Sequence, residues 1–167
     1  MRRFIPYVLP ALLLLLVACE PEPRDIRYGE EECAHCMMRV SDEAFAAQLV
    51  TQHARQYVFD SVECLAGHVK RGDIPADDIH SLWVANFDAP GSNWIAAEDA
   101  AFLRSDDLQS PMGLALSAYP DSETAETYRE DYGGTVHTWS EVRSIVYAEW
   151  LENGDGHSHD MDDHALD

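Results

Sequence analysis

Hydrophobic and polar positions alternate in short runs along most of the chain, and polar turns separate the runs. Phe45–Thr51 (FAAQLVT) and Gln56–Phe59 (QYVF) are spaced as two strands around a short polar turn, which predicts a hairpin. The period then changes. Val62, Leu65, Ala66 and Val69 recur at helical spacing, Asp60 or Ser61 is placed to cap that helix, Glu63 lies near the capping-box position, and Gly72 lies just past its end. Ile79–Phe87 (IHSLWVANF) returns to a strand pattern, so the first half reads β-β-α-β.

The break DAPGSN is followed by the same order of patterns. NWIAAEDAAFLRS offers one or two strands, with Phe102 and Leu103 as core positions. Gly113–Tyr119 offers another, Asp121–Tyr132 reads as a helix capped by Asp121 or Ser122 and stopped by Gly133-Gly134, and TVHTW reads as a strand. A last helix is expected over Ser140–Leu151, with Val142, Ile145, Val146 and Trp150 on one stripe. The fold class expected is α+β: two small repeated β-β-α-β modules packed together, plus a C-terminal helix. The modules are expected over 33–90 and 91–152.

The two ends break the pattern. MRRFIPYVLPALLLLLVAC has a basic start and an apolar run that is too short to span a bilayer, which needs about 20 residues, and it ends in Cys19. Residues 1–18 read as a secretory signal. LVAC is similar to a bacterial lipobox, which implies cleavage before Cys19 and its lipidation, anchoring a folded domain at a membrane surface. Glu20 after the cysteine fits sorting to the outer rather than the inner membrane of a Gram-negative bacterium. Residues 19–32, polar and proline-bearing, read as a tether. Residues 153–167 (NGDGHSHDMDDHALD) lack core-forming residues and are expected to be disordered. Their His157, His159, Met161 and His164 could collect metal weakly, or the tail could be only a solvated extension.

Charge narrows the function classes. The full chain carries a net charge of −20. Without Arg2 and Arg3 of the signal, nine basic residues face 31 acidic ones, a net charge of −22. Such a surface repels nucleic acid and anionic lipid and suits cations or a basic protein. No Ser-His-Asp arrangement or phosphate loop has a convincing context, and Asp60 and Asp121 read better as helix caps than as catalytic acids.

The chemistry concentrates in Glu32–Arg39, ECAHCMMR. Setting Cys19 aside, Cys33, Cys36 and Cys64 remain, an odd number for an oxidising compartment. Three readings stay open. The Cys33/Cys36 pair has thioredoxin-like spacing, which would make a thiol-disulfide oxidoreductase, although no apolar strand precedes it. A structural disulfide could join Cys33 to Cys36, or either to Cys64, and staple a passive lipoprotein. A soft-metal site would use thiolate and thioether donors, which Cu(I) prefers and zinc does not. If residues 36–38 are extended, Cys36 and Met38 share one face and Met37 faces the core. Met112, in SPMG at a strand entry, is the best further donor, with Cys33 and His35 as possible helpers. Cys64 reads as a buried, inert residue, as free cysteines often are.

The order and spacing of the lipobox cysteine, CAHCMM, FAAQLV, FDSVECL, Trp94 with AAFL, PMG and a late YGG resemble the NosL family of copper-binding lipoproteins. The resemblance covers nearly the whole chain after the signal except the tail. It implies repeated β-β-α-β units and a non-enzymatic Cu(I) chaperone facing the periplasm. Such a protein delivers copper for maturation of the copper centres of nitrous oxide reductase, with an ABC-type membrane transporter complex. It also implies Cys36 and Met38 as Cu(I) ligands, with Met112 as a further one. Met37 departs from the family, which often has a small residue there, and the His-rich tail is not a general family feature.

Overall fold

The computed structural model describes residues 21–91 and 93–152. The signal segment, the lipidation candidate Cys19 and the acidic tail lie outside the described residues. Seven strands and three helices follow one another as β1 (Ala47–Thr51), β2 (Gln56–Phe59), α1 (Val62–Arg71), β3 (Ile79–Ala85), β4 (Trp94–Ala96), β5 (Ala101–Arg104), β6 (Leu116–Tyr119), α2 (Ser122–Tyr132), β7 (Thr135–His137) and α3 (Trp139–Val146). A π-helical segment, Tyr147–Glu152, completes the stretch where one continuous helix is expected from the sequence. No helix among the described residues is long and apolar enough to cross a membrane.

The strands form two antiparallel sheets, ordered β2-β1-β3-β4 and β6-β5-β7. In each, the strand that opens the sheet in chain order lies between the next two to which the β-β-α-β pattern assigns it. The boundary expected near residue 91 is displaced, because β4 pairs with β3 through Trp83–Ala96, Val84–Ile95 and Ala85–Trp94. The Asn86 N–H donates to the Asn93 carbonyl at 3.0 Å, so the chain folds back on the first sheet before entering the second.

Period-two alternation sorts the second sheet's side chains onto two cores. Phe102, Leu116 and Ala118 enter the main core, which they share with Leu49, Val58, Phe59, Leu65, Val84, Trp139, Val142 and Val146. Ala101, Leu103 and Tyr119 face the other way and enclose a smaller core with Leu108 and Ala125 of α2. The main core therefore joins both sheets to α1 and α3.

The caps expected for α1 and α2 are present. The Ser61 hydroxyl accepts from the Cys64 N–H at 3.2 Å, and Gly72 ends α1 in the left-handed conformation (φ 73°). The Asp121 carboxylate accepts from the Thr124 N–H at 2.8 Å. Asp60 has another role: it is buried and accepts from the Ser41 N–H at 3.1 Å.

The segment expected to be a tether is packed on the domain from Arg24 onward. Ile26 is in the main core. Gln48, buried on β1, donates to the Arg24 carbonyl at 2.8 Å and accepts from the Arg24 N–H at 3.2 Å, so the peptide unit satisfies the buried amide. The Arg24 guanidinium holds Glu31 with a hydrogen bond to each carboxylate oxygen. That pairing lowers the Glu31 carboxyl to about 2. A depressed carboxylate stabilises the fold fully above its unfolded value, about 4.5, and loses that contribution as pH falls toward 2. Arg24 is partly solvated, so the pair contributes about 1 kcal/mol. Glu31→Gln should therefore lower the urea midpoint at pH 7, and the two proteins should converge as the pH approaches 2. An equal difference at both pH values would show that the ion pair is not the cause.

Candidate metal centre

Residues 33–40 do not form a strand. The Met37 N–H donates to the Cys33 carbonyl (3.0 Å) and the Cys33 N–H to the Met38 carbonyl (2.7 Å), which closes a tight turn flanked by the Glu32–Arg39 bridge. The Ala34 N–H donates to the Val58 carbonyl (2.9 Å) and pins this turn to the edge strand β2. Met37 has φ 64°, a left-handed conformation that costs a residue with a side chain about 1 kcal/mol and suits the small residue expected there from the family. The expected alternation therefore fails. Met37 points to solvent instead of the core, with 67% of its surface exposed, and Met38 is 54% exposed.

The turn sets Cys33 inward, against the first turn of α1, where Cys64 waits. The sulfurs of Cys33, Cys36 and Cys64 all lie within 4.8 Å of one another. Cys33 and Cys64 are fully buried, Cys36 is half-buried at the rim, and no disulfide joins them among the described residues. A metal about 2.3 Å from each of three sulfurs sets them about 4 Å apart, so a trigonal ion fits this envelope.

The electrostatics of the cluster are uneven. The Cys64 thiol donates to the Cys33 sulfur. Backbone N–H groups of Cys36, Asp60 and His35 also stabilise the Cys33 thiolate, which is held at about 5 against the opposing effect of burial. Donating that hydrogen bond pushes the Cys64 thiol far up, and burial pushes Cys36 up. The cluster thus gathers three ionisable sulfurs whose protons a cation can displace.

Around the thiols, His35 stacks on Trp150 (centroids 6.1 Å apart, planes at 12°) and meets His68 edge-on (6.3 Å, 81°). Burial lowers the pKa of both imidazoles. Met112 is half-buried against the main core. Its loop is tied to α1 because the Ser110 hydroxyl donates to Glu63, a carboxylate fully buried beside Cys64.

Of the residues singled out in the sequence, the structure brings Cys33 and Cys36 together, keeps His35 beside them, and places Met38 at the surface. Cys64 is buried as expected, but it faces the other two thiols. The signals for it were the odd thiol count and its place in the first turn of a helix entered directly from a strand.

The NosL family model matches residues 26–146, from the first core residue to the end of α3. The chain belongs to the NosL family. Its fold is also that of a solved relative, the copper chaperone NosL from Shewanella denitrificans. The two share 20% identity and a TM-score of 0.62 over 73% of this chain and 96% of that one. No curated protein matches the sequence. The sequence-based expectations of the family and of a mixed α+β fold therefore hold, and the described residues build that fold from two antiparallel sheets and three helices. Met37 is the one residue of the motif turn with a left-handed φ.

Proposed function

We propose that this protein is a Cu(I) chaperone that does no catalysis, built from two repeated β-β-α-β units. In this reading it is held by lipid on Cys19 at the periplasmic face of the outer membrane. Its copper goes to the maturing copper centres of nitrous oxide reductase, with an ABC-type membrane transporter complex. The observation that carries the metal assignment is the cluster of three thiols, two of them buried, beside two exposed thioethers. An all-sulfur site with three donors suits Cu(I), whereas zinc would seek a fourth ligand.

Cys33, Cys36 and Cys64 seat the ion. Cys36, at the rim, also belongs to the exposed edge formed with Met38. An incoming ion meets these two soft donors first, and a departing ion leaves through them to the acceptor's ligands. Met112 packs on the same core, and its replacement should have the smaller effect.

The rival reading, a thiol-disulfide oxidoreductase, needs its reactive thiolate at the surface. Here the depressed thiol, Cys33, is fully buried, and the accessible one, Cys36, is shifted the other way. Anaerobic Cu(I) titration against a chromophoric chelator, with X-ray absorption at one equivalent, tests the proposal. One tight equivalent with only sulfur neighbours is expected. Cu(I) held no better than by the free chelator, together with disulfide exchange catalysed through Cys33 and Cys36, would favour the enzyme.

A further inference from the structure

We propose that the imidazoles of His35 and His68 form a second, two-coordinate Cu(I) station beside the thiol cluster. This rests on the reading of Cu(I) as the cargo. His68 is buried on α1, with only 6% of its side chain exposed, and among the described residues neither of its ring nitrogens has a hydrogen-bond partner; His35 Nδ1 is also buried and unpartnered among them. A buried polar atom left unpaired costs about 1–3 kcal/mol, and these two touching rings carry three.

Their spacing matches an ion held between them. A metal–imidazole bond of about 2 Å on each side, added to the rings' own radii, puts two centroids about 6 Å apart. The observed separation is 6.3 Å.

The surroundings are built to hold the pair. Gly67 lies under His35: a Cβ there would sit 3.0 Å from both Cε1 and Nε2 of that ring. Trp150 stacks on His35, and Tyr57 and Phe59 enclose His68 with ring centroids 6.0 and 5.1 Å away. Asp73 Oδ2 lies 4.0 Å from His68 Nδ1 and is already engaged by Arg71 at 2.6 Å. Metal-binding histidines commonly donate their second N–H to a carboxylate. Asp73 is the carboxylate placed to become that acceptor by closing in from 4.0 Å when the ion binds, which leaves His68 Nε2 and His35 Nδ1 for the ion.

His35 lies between Cys33 and Cys36 in one turn, so an ion can pass between thiols and imidazoles with little movement of backbone. Neutral nitrogen donors hold Cu(I) less tightly than thiolates. The station is thus suited to an ion in transit.

The test uses the full chain with His157, His159 and His164 replaced by alanine, titrated anaerobically with Cu(I) against a chromophoric chelator. X-ray absorption is recorded at one and two equivalents. The first equivalent is expected to show sulfur neighbours and the second to add two nitrogens. His35→Ala and His68→Phe, which keeps a ring among the aromatic residues, should each abolish the second equivalent and spare the first. Gly67→Ala should weaken the second without removing either ring, so the outcome does not depend on a single variant folding. A second equivalent that is absent, sulfur-bound or unchanged in these variants overturns the station. Loss of the sulfur-bound first equivalent in the parent protein overturns the cargo reading itself, and the station with it.

Discussion

Cys64→Ser is expected to weaken Cu(I) binding by about 100-fold, equivalent to about 2.7 kcal/mol, although the sequence marks this residue as inert. Serine replaces a thiolate with a hydroxyl, a hard donor that Cu(I) disfavours. It leaves the shape nearly unchanged, and the Cys64 N–H keeps its bond to Ser61. The fold should therefore persist while the site loses one of its two buried donors. Cys33→Ser should cost as much or more, because it also removes the thiolate around which three backbone N–H groups converge. Met38→Leu should cost about tenfold or less, since a thioether with over half its surface in water gives up hydration to bind and is free to move away. Competition with a chromophoric chelator measures all three. Wild-type affinity in Cys64→Ser combined with a 100-fold loss in Met38→Leu would return the ligand set to the Cys-x-Met pair that the family resemblance implies.

The contrast between these residues shows what was legible in the chain. Strand and helix periods placed α1, β3 and α3, because a face turned to the core leaves a periodic trace, and cap and stop signals placed α2. The thiol cluster leaves no such trace. Cys33 and Cys64 meet only because the turn at residues 33–38 is pinned to β2 through Val58 and because α1 starts directly after that strand. Met37 was misplaced for a related reason. Alternation holds only for an extended chain, and the left-handed φ at this residue reverses which side chains share a face. The docked segment from Arg24 was missed because its anchors are polar: a buried glutamine amide and an arginine–glutamate pair, neither of which a hydrophobic pattern reveals. The pairing of β4 with the first sheet was unreadable at the level of order alone, since a three-residue strand carries too little pattern to choose its partner.

Oxidation of the copper-free protein should abolish the sulfur-bound equivalent of Cu(I). The sulfurs are close enough for a small movement of the motif turn to bring two of them into bonding distance. Oxidised glutathione is the simplest reagent. The half-buried Cys36 thiolate attacks it, forms a mixed disulfide and releases one reduced glutathione. The Cys33 thiolate then displaces the second glutathione to close Cys33–Cys36. Two thiols lose two electrons and two protons, and one glutathione disulfide becomes two thiols. Because burial raises the Cys36 thiol, the first step should be slow near neutrality and accelerate as the pH rises. Alkylation followed by mass spectrometry should find one reduced thiol among Cys33, Cys36 and Cys64, and a reductant should restore both the count and the binding. Prior loading with Cu(I) should protect all three, since a metal-bound thiolate is a poor nucleophile and the turn is then fixed. If the oxidised protein still binds Cu(I) tightly with sulfur neighbours by X-ray absorption, the ion is held by thioethers that oxidised glutathione does not touch, and Met38 and Met112 regain the role that the three buried or half-buried thiols now take from them.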